Sequence, residues 1–367
     1  MLGLQPNAWR YLHNGPLFKA NIKAQLKDFK VVEKLTFEPN GEGEHDFLFI
    51  EKEGLNTAFV AEEMAKFAKL PLRNVSYAGR KDKFASTQQW FGVYFGKKER
   101  VDWDNFSLVG LQILKQTKNQ RKLRLGTIKA NAFEIRLRNI SDLNETQLQQ
   151  RLQDINRNGV PNYFGNQRFG ERIKTDGSVE LGGNLQLAEK LMQGEAIRNR
   201  NKRSMAISAL RSWLFNYFVS ERLQNAGFKV LSGDVFILKG SNSFFVHELI
   251  GTSSQQQAQN EQLIKRLSER DVLFSGPMWG EGKLDSTSAA LEREQQISAT
   301  FPDICEHLAS LGLKQQRRPA FIFPENLAYE IEDNDLILRF SLPSGSFATS
   351  VLREIVDIDV GIAPPKV

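Results

Sequence analysis

The stretch YAGRKDKFASTQQW, residues 77–90, sets one carboxylate, Asp82, among Arg80, Lys81 and Lys83, with rings at Tyr77, Phe84 and Trp90. An aspartate is anionic at neutral pH, and cations on both sides favour that form. A carboxylate can attack an electrophilic sugar carbon and leave again, splitting one hard step into two without a cofactor. No histidine or cysteine in the stretch competes for that role. The plain alternative is a turn aspartate in a solvated ion cluster, which contributes little to anything. Three features oppose it. Asp82 follows a strand-like VSY and a tight Ala-Gly turn, a place where functional loops are built. Cations surround it. Ser86, Thr87, Gln88, Gln89 and Trp90 then supply hydrogen-bonding groups and a stacking surface.

Such a loop needs a rigid base. Phe29–Val32 reads as the core of a short strand, NGEGEH breaks the chain, and DFLFIEKEG reads as the next strand. Gly41 and Gly43 make only a G-x-G fragment with no helix behind it, hence a turn rather than a phosphate cradle. NTAFVAEEMAKFAKLPLRN predicts a helix capped by Asn56 or Thr57 and stopped by Pro71, with Phe59, Val60, Met64 and Phe67 as its core face. QQWFGVYFG and FEIRLRNI read as strands, the second alternating Phe133, Ile135 and Leu137 against Glu134, Arg136 and Arg138. Asp142 to Gly159 predicts a helix. From Pro161 to about Arg318 the pattern is mostly helical, interrupted by one strand-like VFILKG, with SSQQQAQNEQ as an exposed loop or helix start. The last fifty or so residues return to β character. A mixed α/β part is thus interrupted by an insertion and completed by the C-terminal segment, with no internal repeat.

Other constellations carry weaker signals. NYFGNQRFGER, residues 162–172, interleaves Tyr163, Phe164 and Phe169 with amides and Arg168 and Arg172. RNA is read through bases stacked on rings and through amide and guanidinium contacts; a buried aromatic hinge explains the segment equally well. Four basic clusters, GKKER (96–100), NQRKLRLG (119–126), RNRNKR (198–203) and KQQRRP (314–319), are each a solvated face when taken singly. Together they fit a surface that tracks a phosphate backbone. SLPSGSFATS predicts a turn presenting Phe347, whose default reading is core or turn packing.

Composition bounds the rest. The 367 residues suit two domains, and 41% hydrophobic with 25% charged residues is a folded, globular composition. The one cysteine, Cys305, excludes an intrachain disulfide and any cysteine cluster, and the four histidines lack metal-ligand spacing. The reducing cytoplasm is the expected compartment, with no secretion signal or membrane span in the pattern. A net charge of +6 points weakly towards nucleic acid.

AGRKDKFASTQQW, together with KDFKVVEKL, NQRKLRLG, KANAF, VPNYFGNQRFG, RNKRS and SLPSGSFATSVLRE, resembles the TruD family of tRNA pseudouridine synthases, in that family's order and almost end to end. The resemblance implies an α+β fold: a pseudouridine-synthase catalytic domain with a mixed, mainly antiparallel sheet, in segments 1–158 and 319–367, and an inserted α/β TRUD domain over 159–318. It implies isomerisation of uridine to pseudouridine at position 13 of tRNA, with no cofactor, no metal, no membrane partner and a monomer. Asp82 falls on the catalytic aspartate and Lys23 where a basic residue pairs with it. Phe29, Asn131, Phe133 and Phe347 fall on substrate-binding positions. Arg80 occupies a variable position of the motif, and Phe84 stands where histidine is frequent. The target nucleoside would be turned out into a pocket. Asp82 would attack the ribose or, in a competing version, assist loss of uracil to a glycal; the base that removes the carbon 5 proton is left open. A non-catalytic RNA-binding or tRNA-folding protein of the same fold is the alternative. A methyltransferase or phosphotransferase would need a Gly-rich strand-to-helix turn or a P-loop, and the sequence has neither.

Overall fold

The computed structural model describes residues 4, 9–170, 172–173, 179–249 and 254–360. Contacts divide the chain into two compact units, one of residues 16–156, 324–348 and 355–367, the other of residues 1–15, 157–323 and 349–354. Glu171 of the aromatic segment and Ser253 of the polar one lie outside the described residues.

The first unit is built on a sheet of ten strands among the described residues. Its strands up to the end of the first chain segment are β1 (Phe18–Ile22), β2 (Phe29–Leu35), β3 (His45–Glu53), β4 (Val75–Tyr77), β5 (Ser86–Tyr94), β6 (Leu111–Asn119) and β7 (Ile128–Ser141). Strands Glu325–Glu332, Asp335–Pro343 and Val356–Val360 complete it from the C-terminal side. The order runs Glu325–Glu332, Asp335–Pro343, β7, β2, β5, β3, β6, with β4 added on β5 and β1 lying between β7 and Val356–Val360. Only the β1 pairing with Val356–Val360 and the β2–β5 pairing are parallel. The mixed, mainly antiparallel α+β sheet expected from the sequence is therefore the one found.

Alternation decides the two faces. In β7, Phe133, Ile135 and Leu137 are buried. Glu134 and Arg136 between them join a surface ladder in which Glu134 pairs with Lys30 at 2.7 Å and with Arg339 at 2.8 Å. Helix α1 (Thr57–Phe67) packs Val60, Ala61, Met64 and Ala65 on Leu48, Ile50, Phe91 and Val93. Phe59 departs from expectation: it is 40% exposed, because the face turned to the sheet is the one that carries Val60, Ala61, Met64 and Ala65. Helix α2 (Glu145–Asn158) starts three residues later than predicted.

The second unit corrects the helical reading of the insertion. Long helices are present, above all Arg200–Asn225. They accompany an antiparallel four-stranded sheet in the order Phe244–His247, Asp234–Leu238, Val272–Met278, Gln316–Pro319. VFILKG reveals only one of these strands. VLFSGPM contains a proline and QRRP is charged, so neither carries the strand signature. SSQQQAQNEQ enters the helix Ser254–Ser268.

Candidate active site

Register places the predicted residues on one sheet face. Val31 of β2 lies opposite Phe133 of β7 and Thr87 of β5. Thr87 in turn lies opposite Lys52 of β3, and Phe133 opposite Phe340. Residues directly across a ladder share a face, as do residues two apart along a strand. Lys52, Thr87, Val31, Phe133 and Phe340 thus form one row, flanked by Phe29 and by Glu33, which is opposite Asn131. Helix α1 begins at the edge of this row, where the Thr57 hydroxyl donates to Gln89 Oε1 at 2.9 Å.

The segment between β4 and β5 has no regular structure and carries Asp82 over that row. Lys23, in a left-handed conformation at φ 57° directly after β1, turns its ammonium onto Asp82 Oδ2 in an ion pair. A non-glycine residue at positive φ is uncommon and is held by its surroundings. The other carboxylate oxygen, Oδ1, accepts from the Phe84 N–H at 3.2 Å. Lys23 Nζ also sits 4.5 Å from the centre of the Phe29 ring, a cation–π contact. Phe29 meets Phe133 edge-on at 6.1 Å, and Phe133 stacks on Phe340 at 5.4 Å. Contacts therefore join Asp82, Lys23, Phe29 and Phe133 in one chain. The Asp82 carboxylate side chain is 27% exposed, reachable from outside yet braced from within.

Asn131 adds a polar group to the same face. Its Oδ1 is buried and accepts no hydrogen bond within the protein. Buried polar atoms are nearly always partnered, so an orphan at such a place calls for an explanation such as a substrate group. Phe347 lies beyond Leu342, the residue opposite Asn131, on a turn after the strand, and is half-exposed.

The sequence did not disclose the groups that hold the loop. Lys81 points inward to Glu33, 2.7 Å away, with the two side chains 6% and 0% exposed. Glu33 Oε1 also accepts from the Trp90 N–H at 3.2 Å. The Lys81 N–H donates to Thr57 Oγ1 at 3.0 Å, and Gln89 Nε2 to the Gly79 carbonyl at 3.2 Å. Lys52, fully buried, donates to the Leu55 carbonyl at 2.7 Å and the Asp82 carbonyl at 3.0 Å. One signal was available: Lys52 shares the period-2 positions of Leu48 and Ile50, where an apolar residue is expected.

Two other sequence features take on different roles. The rings of NYFGNQRFG are core: Tyr163, Phe164 and Phe169 are buried, with Trp9 stacked on Tyr163 at 6.0 Å and Phe164 edge-on to Phe215 at 5.7 Å. Asn216 locks the Phe164 backbone, accepting from its N–H at 2.8 Å and donating to its carbonyl at 2.9 Å. These rings pack on Trp9 and Phe215 inside one unit, so the buried-aromatic reading accounts for this segment. KQQRRP drops out of the phosphate-tracking set. Arg317 is clamped to Glu294 with both side chains buried, and Arg318 stacks on Phe164 at 4.1 Å, its guanidinium driven down to about 9 by burial. Arg198, Arg200, Lys202 and Arg203 remain exposed, at the N-terminal end of the helix Arg200–Asn225 where the helix dipole disfavours cations. Their placement is not explained by helix stability.

Among the described residues no group of His, Cys, Asp or Glu side chains could hold a metal ion, and no helix is long and apolar enough to cross a membrane.

A model of the family described as tRNA pseudouridine synthase D (TruD) matches residues 7–205 and, in an overlapping second segment, 186–355. The chain belongs to this family. Among curated TruD proteins, the tRNA pseudouridine synthase D of Pseudoalteromonas atlantica is 48% identical over 358 residues, covering 97% of this chain and 98% of that protein. That of Shewanella oneidensis is 42% identical over 350 residues, covering 95% and 88%. A crystal structure of a putative TruD from Methanosarcina mazei superposes with a TM-score of 0.69 over 97% of this chain and 96% of that one, at 18% identity. At that identity the likeness shows the fold, and the α+β fold expected of a TruD chain is the fold present here.

Proposed function

We propose that this TruD chain isomerises uridine to pseudouridine at position 13 of tRNA, with Asp82 as nucleophile and no cofactor. The observation that carries the proposal is the single carboxylate held by Lys23 at the open edge of an aromatic face. Asp82 attacks C1′ of the ribose as the C1′–N1 bond breaks and its electron pair leaves on uracil N1. The freed uracil turns and C5 attacks C1′, expelling the carboxylate. Loss of the C5 proton to a base and protonation of N1 complete an isomerisation whose atoms balance without oxidant or reductant. Phe29 and Phe347 wall in the base, Phe133 supports Phe29 from below, and the orphan Asn131 carbonyl accepts a uracil N–H.

The reading assigns the chemistry to segments 1–158 and 319–367 and contacts with the RNA backbone to the inserted TRUD domain, 159–318, which carries the exposed cations Arg198–Arg203. A tRNA substrate implies the cytoplasm. The test is tritium release from tRNA labelled at uracil C5, with positions mapped in the product. Wild type should release label from position 13. Asp82→Asn should lower turnover about a thousandfold or more while tRNA affinity changes little. Appreciable turnover by that variant, or none by wild type, overturns the proposal.

A further inference from the structure

Lys81 anchors the loop one residue before Asp82, through Glu33 and Thr57, and Lys52 bonds the main chain of Asp82 itself. Lys23 reaches only the carboxylate of Asp82, and the segment that carries Asp82 makes no ladder with the sheet beneath it. A displacement of about an ångström can cost an enzyme a hundredfold in rate. Lys52 supplies a restraint at the Asp82 carbonyl. It is rooted near the end of β3, paired with Thr87 of β5 on one side and with Leu111 of β6 on the other, so the strand is held from both sides at that point. From that fixed point its ammonium donates to the carbonyl of Asp82 and to that of Leu55, on the turn between β3 and α1. One buried side chain therefore ties together the sheet, the start of the helix and the loop.

The position is costly for a charge. Lys52 is completely shielded from solvent, on the face where Leu48 and Ile50 make apolar contacts. An apolar side chain there would avoid the desolvation, as replacements of buried ions often show. Burial pushes the Lys52 ammonium down to about 8; the charged groups acting on it are Asp82, which favours the protonated form, and Lys81, which opposes it. Its partners across the ladders, Thr87 and Leu111, bring no charge. A lysine kept there at that cost, bonded to the backbone of the proposed nucleophile, has a role that packing does not explain.

Resting on the reading that Asp82 is the nucleophile, we propose that Lys52 is a positioning residue: its ammonium holds the Asp82 main chain where the carboxylate reaches the ribose. Only the protonated side chain can donate to both carbonyls with full charge, so the loop loosens as Lys52 loses its proton. Lys52 does not touch substrate; it acts through the loop.

The experiment is single-turnover tritium release at saturating tRNA for wild type, Lys52→Met, Lys52→Arg and Asp82→Asn, each across about pH 6 to 10. Lys52→Met should lower the rate about a hundredfold, with tRNA affinity within about threefold of wild type. Lys52→Arg should restore part of the loss. The wild-type rate should fall above pH about 8, and Lys52→Met should lack that limb. A Lys52→Met rate within about threefold of wild type overturns the proposal. So does a wild-type profile flat across the whole range, which decides the matter even where the variants fail to fold. If wild type is active and Asp82→Asn is not, a fully active Lys52→Met sinks this inference alone. An inactive wild type or an active Asp82→Asn sinks the reading beneath it.

Discussion

Lys81 and Glu33 form an ion pair 2.7 Å long whose side chains are 6% and 0% exposed, directly beside Asp82 in the chain. Neighbouring residues thus go opposite ways: Lys81 turns inward to anchor the loop, and Asp82 turns to the open face. The cation that the sequence sets next to Asp82 holds the loop instead of pairing with that carboxylate.

Removing one member of this pair strands the other. Glu33→Gln should destabilise the protein by about 3–5 kcal/mol, because the Lys81 ammonium stays buried without a counter-charge. Replacing both by Leu and Met should recover much of that loss. Urea or guanidinium denaturation of the singles and the double, analysed as a cycle, measures it. A Glu33→Gln protein as stable as wild type would show that the pair relaxes into water.

Asn131 should separate stability from activity. Its Oδ1 is already unsatisfied in the folded protein. Asn131→Leu should leave stability unchanged or raise it by about 1 kcal/mol, while kcat/KM falls by about 10- to 100-fold through loss of a hydrogen bond to the base. Thermal melts with steady-state kinetics test this. A variant that melts early and keeps its activity would make Asn131 a structural residue.

The two phenylalanines should behave differently. Phe347 is half-exposed, so Phe347→Ala should change stability by less than about 1 kcal/mol and act on KM for tRNA. Phe29 is buried between Lys23 and Phe133, and Phe29→Ala should cost about 3–5 kcal/mol in addition to activity. Phe29→Leu keeps more of the packing and should isolate the contribution of the ring. Unchanged kinetics for both Phe347→Ala and Phe29→Leu would return these rings to packing.

Lys52 also predicts a pH dependence of stability opposite in sign to that of activity. Its folded value of about 8 lies below the ordinary 10.5, so between those values the unfolded chain binds more protons than the folded one. Stability therefore rises with pH across that window. The penalty for burying the ammonium is fully present below about 8 and is relieved towards 10.5. Measured against Lys52→Met by chemical denaturation, wild type should gain relative stability over the window in which its turnover declines. Parallel stability curves for the two proteins would refute it.

Much of this was readable in the chain. The alternation of FEIRLRNI gave β7 and its buried face, since period 2 is a property of the strand itself. The helix of NTAFVAEEMAKF was legible for the same reason, but Phe59 was misassigned because the choice between it and Ala61 depends on where the sheet lies. The strands Val272–Met278 and Gln316–Pro319 were not legible, because their pairing partners supply a stability that local propensity does not. KQQRRP looked like surface because charge predicts exposure; Glu294 and Phe164, distant in sequence, made its arginines interior.

By itself the sequence determined the chemistry available: one aspartate in a cationic loop, the rings and amide that could accompany it, and the family that shares their order. Only the tertiary structure decided which cation serves which partner. Lys23 to Asp82, Lys81 to Glu33 and Lys52 to two carbonyls are choices among near-identical ammonium groups. The physical reason is that an ion pair is fixed by distance and burial. Both are set by strand register and by the path of the loop, and neither is a property of residues taken in order.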